Sequence, residues 1–156
     1  MVGAWRAQLD RAGSTNVPAH ITVVYPFVAP ERLTDEVLGV IGGLVSGRPG
    51  FDFALARTAR FGETTLYVEP DPLDPFVDLT KSVFERFPEA PPYGGGFDAI
   101  RPHLTVGHSD DPSALDPAQA AVSAALPVAS RAHEVVLITA GADFRWEVRT
   151  RFPLGA

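Results

Sequence analysis

Apolar positions along this chain change period several times, and each change marks an element. Val2, Trp5 and Leu9 recur at helical spacing and predict a short amphipathic helix within residues 2–12. Pro18 then opens an extended run, Ala19-His20-Ile21-Thr22-Val23-Val24-Tyr25, closed by Pro26. Thr34 or Asp35 can cap a helix reaching about Ser46, with Val37, Leu38, Ile41, Leu44 and Val45 inward and three glycines weakening it. Phe51, Phe53 and Leu55 alternate with small or polar residues, and Phe61-Gly62-Glu63-Thr64 turns into a strand over 65–69, predicting a hairpin.

The pattern then repeats. Asp74 is placed to cap a helix whose inner residues are Phe76, Leu79, Val83 and Phe87, ended by Pro88. A Pro- and Gly-rich loop (90–96) leads to a second extended run, Arg101-Pro102-His103-Leu104-Thr105-Val106. Asp116-Pro117 starts a helix to about Leu126, and Val135–Thr139 and Trp146–Phe152 are the last two strands, turning near Gly141-Ala142-Asp143. Helix, H-x-T strand, helix and hairpin thus occur twice. The two histidines are 83 residues apart, and the following helices start 14 residues after His20 and 13 after His103. One domain built of two pseudo-repeats, about 1–70 and 71–156, is the organisation this implies.

The repeated motif carries the candidate chemistry. Residues i and i+2 of a strand share a face. His20 and Thr22 therefore project together while Ile21 and Val23 point inward, and His103 and Thr105 do the same over Leu104 and Val106. Two such strands bring two imidazoles and two hydroxyls to one place. One imidazole can accept a proton while the other donates one, because their pKa lies near neutrality. Opening a phosphodiester ring needs both, and threonine hydroxyls can hold the non-bridging oxygens as charge builds. A single His-apolar-Thr in a strand is ordinary strand composition. Two copies, each flanked by proline and set at equivalent places in a repeated layout, point to function. The alternative is a phosphate-binding module that does no turnover.

Composition narrows the partners. The formal charge is −6, and the 13 Lys and Arg are scattered, with Arg145, Arg149 and Arg151 the closest cluster. Tight binding to long nucleic acid needs a basic face, so a small phosphate ester or an RNA end is the expected partner. The longest apolar run, Val37 to Val45, is too short to span a bilayer, no secretory signal is visible, and no cysteine is present. These features predict a cytoplasmic protein without disulfides. No H-x₃-H or H-E-x-x-H spacing exists, so neither a metal nor another cofactor is expected.

Pro18-Ala19-His20-Ile21-Thr22-Val23 through Tyr25-Pro26-Phe27, together with Arg101-Pro102-His103-Leu104-Thr105-Val106, resembles the two-histidine (2H) phosphoesterase superfamily, in its bacterial 2′-5′ RNA ligase-like branch. The resemblance runs over most of the chain, including the closing stretch from Trp146 to Gly155. It implies a bilobal α+β fold, with two antiparallel sheets and flanking helices around a central cleft. It also implies 2′,3′-cyclic phosphodiesterase or related RNA-end chemistry, 2′-5′ ligation included. By matching position, His20 and His103 are the acid–base pair, and Thr22 and Thr105 hold the phosphate. Members usually open with a hydrophobic strand before the first helix, where this chain begins at the helix itself. An unpaired sheet neighbour invites self-association, so a monomer or weak dimer is expected.

Other residues complete the expectations. Arg101 shares strand parity with His103 and is a possible substrate contact, as are Tyr93 and Phe97, which flank a glycine run and can stack on a base. His108 has the opposite parity to His103 and is assigned to structure or solvent. His133 has no sequence partner. Tyr25 and Tyr67 are expected to pack.

Overall fold

Capped helices and a tight hairpin account for most of the architecture. The computed structural model describes residues 1–156 apart from Phe97, Asp98, Ala142 and Phe144. Among the described residues the elements run α1 (Gly3–Leu9), α2 (Arg11–Ser14), α3 (Asp35–Ser46), β1 (Phe51–Phe61), β2 (Thr65–Asp71), α4 (Asp74–Arg86), β3 (Leu104–His108), α5 (Asp116–Ala124), β4 (Val128–Ala132), β5 (Glu134–Ala140) and β6 (Trp146–Pro153). The strands form two antiparallel sheets, one ordered β3-β2-β1-β4 and one pairing β5 with β6. With the helices packed on them, this is the α+β class. No described helix is long and apolar enough to cross a membrane.

Local chemistry explains the elements. The Thr34 hydroxyl accepts from the Val37 amide at 3.3 Å and starts α3, with Asp35 and Glu36 in its first turn complementing the helix dipole. Gly62, at φ +56°, sits in the three-residue turn between Phe61 and Thr65, the closing pair of β1 and β2. Two cores result. Leu66 and Val68 of β2, Leu104 and Val106 of β3, and Ala118 and Val122 of α5 anchor the first. Ile41 and Val45 of α3, Val83 of α4, Phe87 and Phe152 of β6 anchor the second. Each core draws on both halves of the chain.

Four expectations need correction. The first extended run, Ala19 to Tyr25, belongs to no strand among the described residues. Extension alone does not make a strand; a neighbour with free backbone groups must lie alongside. The N-terminal helix breaks at Asp10, whose carboxylate accepts from the Ala12 amide at 3.0 Å and restarts the chain as α2. The strand β4 was not expected, because Val-Ala-Ser-Arg-Ala has little apolar alternation; its pairing with Phe51–Leu55 of β1 defines it. Asp74 and Asp116 lie inside the first turns of α4 and α5 rather than capping them. The turn expected at 141–143 includes Ala142, outside the described residues.

The ladderless segment is held by groups from elsewhere. Arg6, 4% exposed, is ion-paired to Asp10 (2.8 Å) and donates through Nη1 to the Val17 carbonyl at 3.0 Å. The buried Thr80 hydroxyl of α4 donates to the Val23 carbonyl at 3.0 Å. The Trp146 amide donates to the Thr15 carbonyl at 3.2 Å. Along the segment, Ile21 packs on the first core, and Val23, Val24 and Phe27 pack on the second.

Arg6→Ala leaves the Asp10 carboxylate and the Val17 carbonyl without their buried partner. It is expected to destabilise the fold by about 3–5 kcal/mol, read as a lower urea midpoint. A midpoint equal to wild type would show that the guanidinium is not what holds the segment.

Candidate active site

The two predicted histidines are oriented alike. His20 Nδ1 lies 2.8 Å from the Pro18 carbonyl, and His103 Nδ1 lies 2.6 Å from the Arg101 carbonyl. A carbonyl only accepts, so each Nδ1 carries its proton and Nε2 is the atom left for chemistry. His20 Nε2 is 3.1 Å from the Thr22 hydroxyl. In the neutral ring Nε2 accepts that proton; in the charged ring it donates to the oxygen. The i, i+2 relation of His and Thr thus survives although the segment is not a strand.

His103 stands at the entrance to β3 against aromatic rings from three elements. Phe61 of β1 meets it edge-on at 4.8 Å between centroids, Tyr67 of β2 at 5.4 Å, and Tyr93 lies nearly parallel to it at 6.3 Å. Phe61 and Tyr67 stack on each other at 4.1 Å. Tyr67 therefore both packs, as expected, and lines the site. Burial among these rings pushes the His103 proton affinity below its ordinary value; the hydrogen bond from the ring to the Arg101 carbonyl opposes this, and the charge of His20 lowers it further. That last effect places the two imidazoles, 83 residues apart in sequence, in one electrostatic neighbourhood.

Register decides what else faces His103. Thr105 pairs with Tyr67, but Gly107 pairs with Leu66, so β3 holds one extra residue at Val106. Beyond this bulge His108 pairs with Thr65 and shares the face of Tyr67 and Thr105, its Nδ1 3.0 Å from the Thr65 hydroxyl. Parity counted along the sequence put His108 on the other face; the bulge reverses the count. His108 remains solvent-exposed, as expected. Just past the bulge α1 packs closely on the strand, since a Cβ at Gly107 would lie 2.5 Å from Leu9 Cβ. The same sheet face carries the Arg57–Glu69 ion pair at 2.8 Å.

The remaining candidates divide. Arg101 is exposed, and it serves His103 through its backbone carbonyl, which also accepts from the Tyr93 hydroxyl at 3.1 Å. Phe97 lies outside the described residues. Tyr25, expected to pack, is 58% exposed and touches only the edge of Trp146 among ring contacts described for it, at 6.1 Å. His133 is exposed beside Glu134. Among the described residues no group of three or more His, Asp or Glu is placed to hold a metal ion. The aromatic surround of His103 was missed by the sequence reading, though Phe61 and Tyr67 flank the hairpin turn that brings them together.

Comparison with known proteins gives a consistent picture. A family model described as the 2′-5′ RNA ligase superfamily matches residues 2–143. No curated protein matches the chain in sequence. Among solved structures, a Thermus thermophilus protein superposes with a TM-score of 0.60 at 18% identity, covering 88% of this chain and 80% of its own. E. coli LigT in complex with 3′-AMP gives 0.59 at 16% identity, covering 99% and 90%. A structure described as a phosphoesterase gives 0.57 at 14% identity, covering 99% and 94%. At these identities the likeness is one of fold.

Replacing His20 with Gln removes one of the two influences that depress His103. The His103 titration, followed by NMR of its ring protons, is expected to move upward while staying below 6.5, because burial is the larger cause. The sign for stability follows. A depressed folded-state value contributes stability that is present above about 6.5 and lost as pH falls through the folded value, so His103→Gln flattens the acid side of the stability–pH curve. An unmoved His103 titration in His20→Gln would separate the two rings.

Proposed function

The chain belongs to the 2′-5′ RNA ligase superfamily, and on that premise we propose that it hydrolyses a 2′,3′-cyclic nucleotide or RNA-end phosphodiester with His20 and His103 as its acid–base pair. The observation that carries this reading is the matched presentation of the two rings. Each has its Nδ1 fixed on the carbonyl two residues earlier, which turns Nε2 away from that carbonyl, toward the Thr22 hydroxyl in the case of His20, and the charge of His20 bears on His103.

The steps follow from proton affinities. His103, disposed to be neutral, takes a proton from water through Nε2 as the water oxygen attacks phosphorus. The bond from phosphorus to one ribose oxygen breaks, and protonated His20 supplies the proton that oxygen needs to leave. Thr22 and Thr105 donate hydrogen bonds to the non-bridging oxygens, where charge grows toward the transition state. The recurrence of the His-apolar-Thr sequence beside proline in both halves of the chain supports an origin of the paired motif by duplication. LigT's complex with 3′-AMP supports a small nucleotide as the ligand class. The negative net charge supports an RNA end rather than a long polymer. The absence of cysteine supports a cytoplasmic setting.

The test is turnover of the four 2′,3′-cyclic nucleoside monophosphates in the presence of EDTA. Wild type is expected to open the ring, with His20→Ala and His103→Ala each lowering kcat/KM by about 10²–10⁴. The acid limb of kcat/KM should have an apparent pKa below 6.5, since activity is lost as His103 takes up its proton. Nucleotide binding by folded wild type without turnover would make this a binding module instead. Joining of RNA ends would make it a ligase.

A further inference from the structure

The loop before β3 places a tyrosine where its ring and its hydroxyl both act on His103. Tyr93 occupies the turn Pro92–Gly95 with φ +53°, a left-handed conformation unusual for a tyrosine, and Gly94 and Gly95 follow at φ +63° and +76°. This backbone path lays the Tyr93 ring beside the His103 ring, 6.3 Å between centroids and 28° from parallel. It also aims the Tyr93 hydroxyl at the Arg101 carbonyl, 3.1 Å away, which is the oxygen that accepts from His103 Nδ1 at 2.6 Å. One carbonyl oxygen, with its two lone pairs, is shared by a phenol and an imidazole.

We propose that Tyr93 is a positioning residue for His103, holding the ring with Nε2 outward and keeping it neutral by sharing its carbonyl acceptor and shielding it from water. This rests on the assignment of His103 to the acid–base pair, but the arrangement can be tested without turnover. A charged imidazole is stabilised when its Nδ1–H meets a carbonyl whose negative charge is undivided. The phenol O–H draws on the same oxygen and weakens that stabilisation. The ring excludes water from one side of the imidazole, which disfavours the charged form again. Both effects act in the direction found for His103, whose proton affinity lies below its ordinary value. The other groups around His103 are His20, which is cationic when protonated, the phenol of Tyr67, and the apolar Phe61. Farther along the face the Arg57 and Glu69 charges pair with each other, and His108 lies near Asp110.

The experiment is an NMR titration of the His103 ring protons in wild type, Tyr93→Phe and Tyr93→Ala, with Tyr25→Phe as the control tyrosine. Tyr93→Phe keeps the ring and removes only the hydroxyl. Its His103 midpoint is expected to rise by about 0.5 pH unit, and Tyr93→Ala should raise it further by admitting water. Tyr25→Phe should leave it in place. If the chain turns over cyclic nucleotides, the acid limb of kcat/KM should move by the same amount in each variant. An unchanged midpoint in Tyr93→Phe overturns the proposal, whatever Tyr93→Ala does. A shifted midpoint in a protein that turns nothing over upholds the positioning and refutes only the phosphoesterase reading.

Discussion

A buried guanidinium is the constraint on which the site depends. A segment outside any ladder still carries backbone carbonyls that must find donors, and residues 17–24, bent at Ala19 and Val23, pack against both cores in that condition. Arg6 meets Val17, Thr80 meets Val23, and Trp146 meets Thr15 just upstream. Of these, Arg6 is the costliest to bury, because it brings a charge out of water. Asp10 makes this tolerable by neutralising it, and the same carboxylate restarts the helix at Ala12. His20 thus owes its position to side chains reaching across from α1 and α4, whereas His103 owes its own to the β-ladder beside it.

The two histidines consequently live in different surroundings although their sequence motifs match. His20 is exposed and bonded to its own threonine; His103 is set among rings that withhold water from it. Burial lowers the proton affinity of His103, and the charge of His20 lowers it further. One three-residue motif, His-apolar-Thr, thus stands in two different environments without any change in the motif itself.

Much of this was legible in the sequence, for reasons that lie in particular residues. The helix stripes Val37–Val45 and Phe76–Phe87, the hairpin around Gly62, and the inward Leu104 and Val106 all follow from periodicity that the packing preserves. The pairing of His20 with Thr22 was legible because it needs only two residues and an extended backbone. What escaped depends on distant partners. Nothing within Ala19–Tyr25 says that no strand lies alongside, and nothing in the five residues of β4 says that β1 does. The position of His108 escaped because a bulge shows only in the register of β3 against β2, whose closest paired residues, Val68 and Leu104, lie 36 residues apart in the sequence. The role of Arg101 escaped because it is the carbonyl, common to every residue, that does the work.

The bulge in β3 also makes the polar face of the site indifferent to one residue of strand length. Removing Val106 would take out the bulge and return the strand to plain alternation, with Thr105 still opposite Tyr67 and the next imidazole, now two residues on, still opposite Thr65 on the same face. Such a deletion changes no side chain that contacts His103. The bulge thus lets this strand carry one residue more than its ladder needs while the polar lining of the face stays the same.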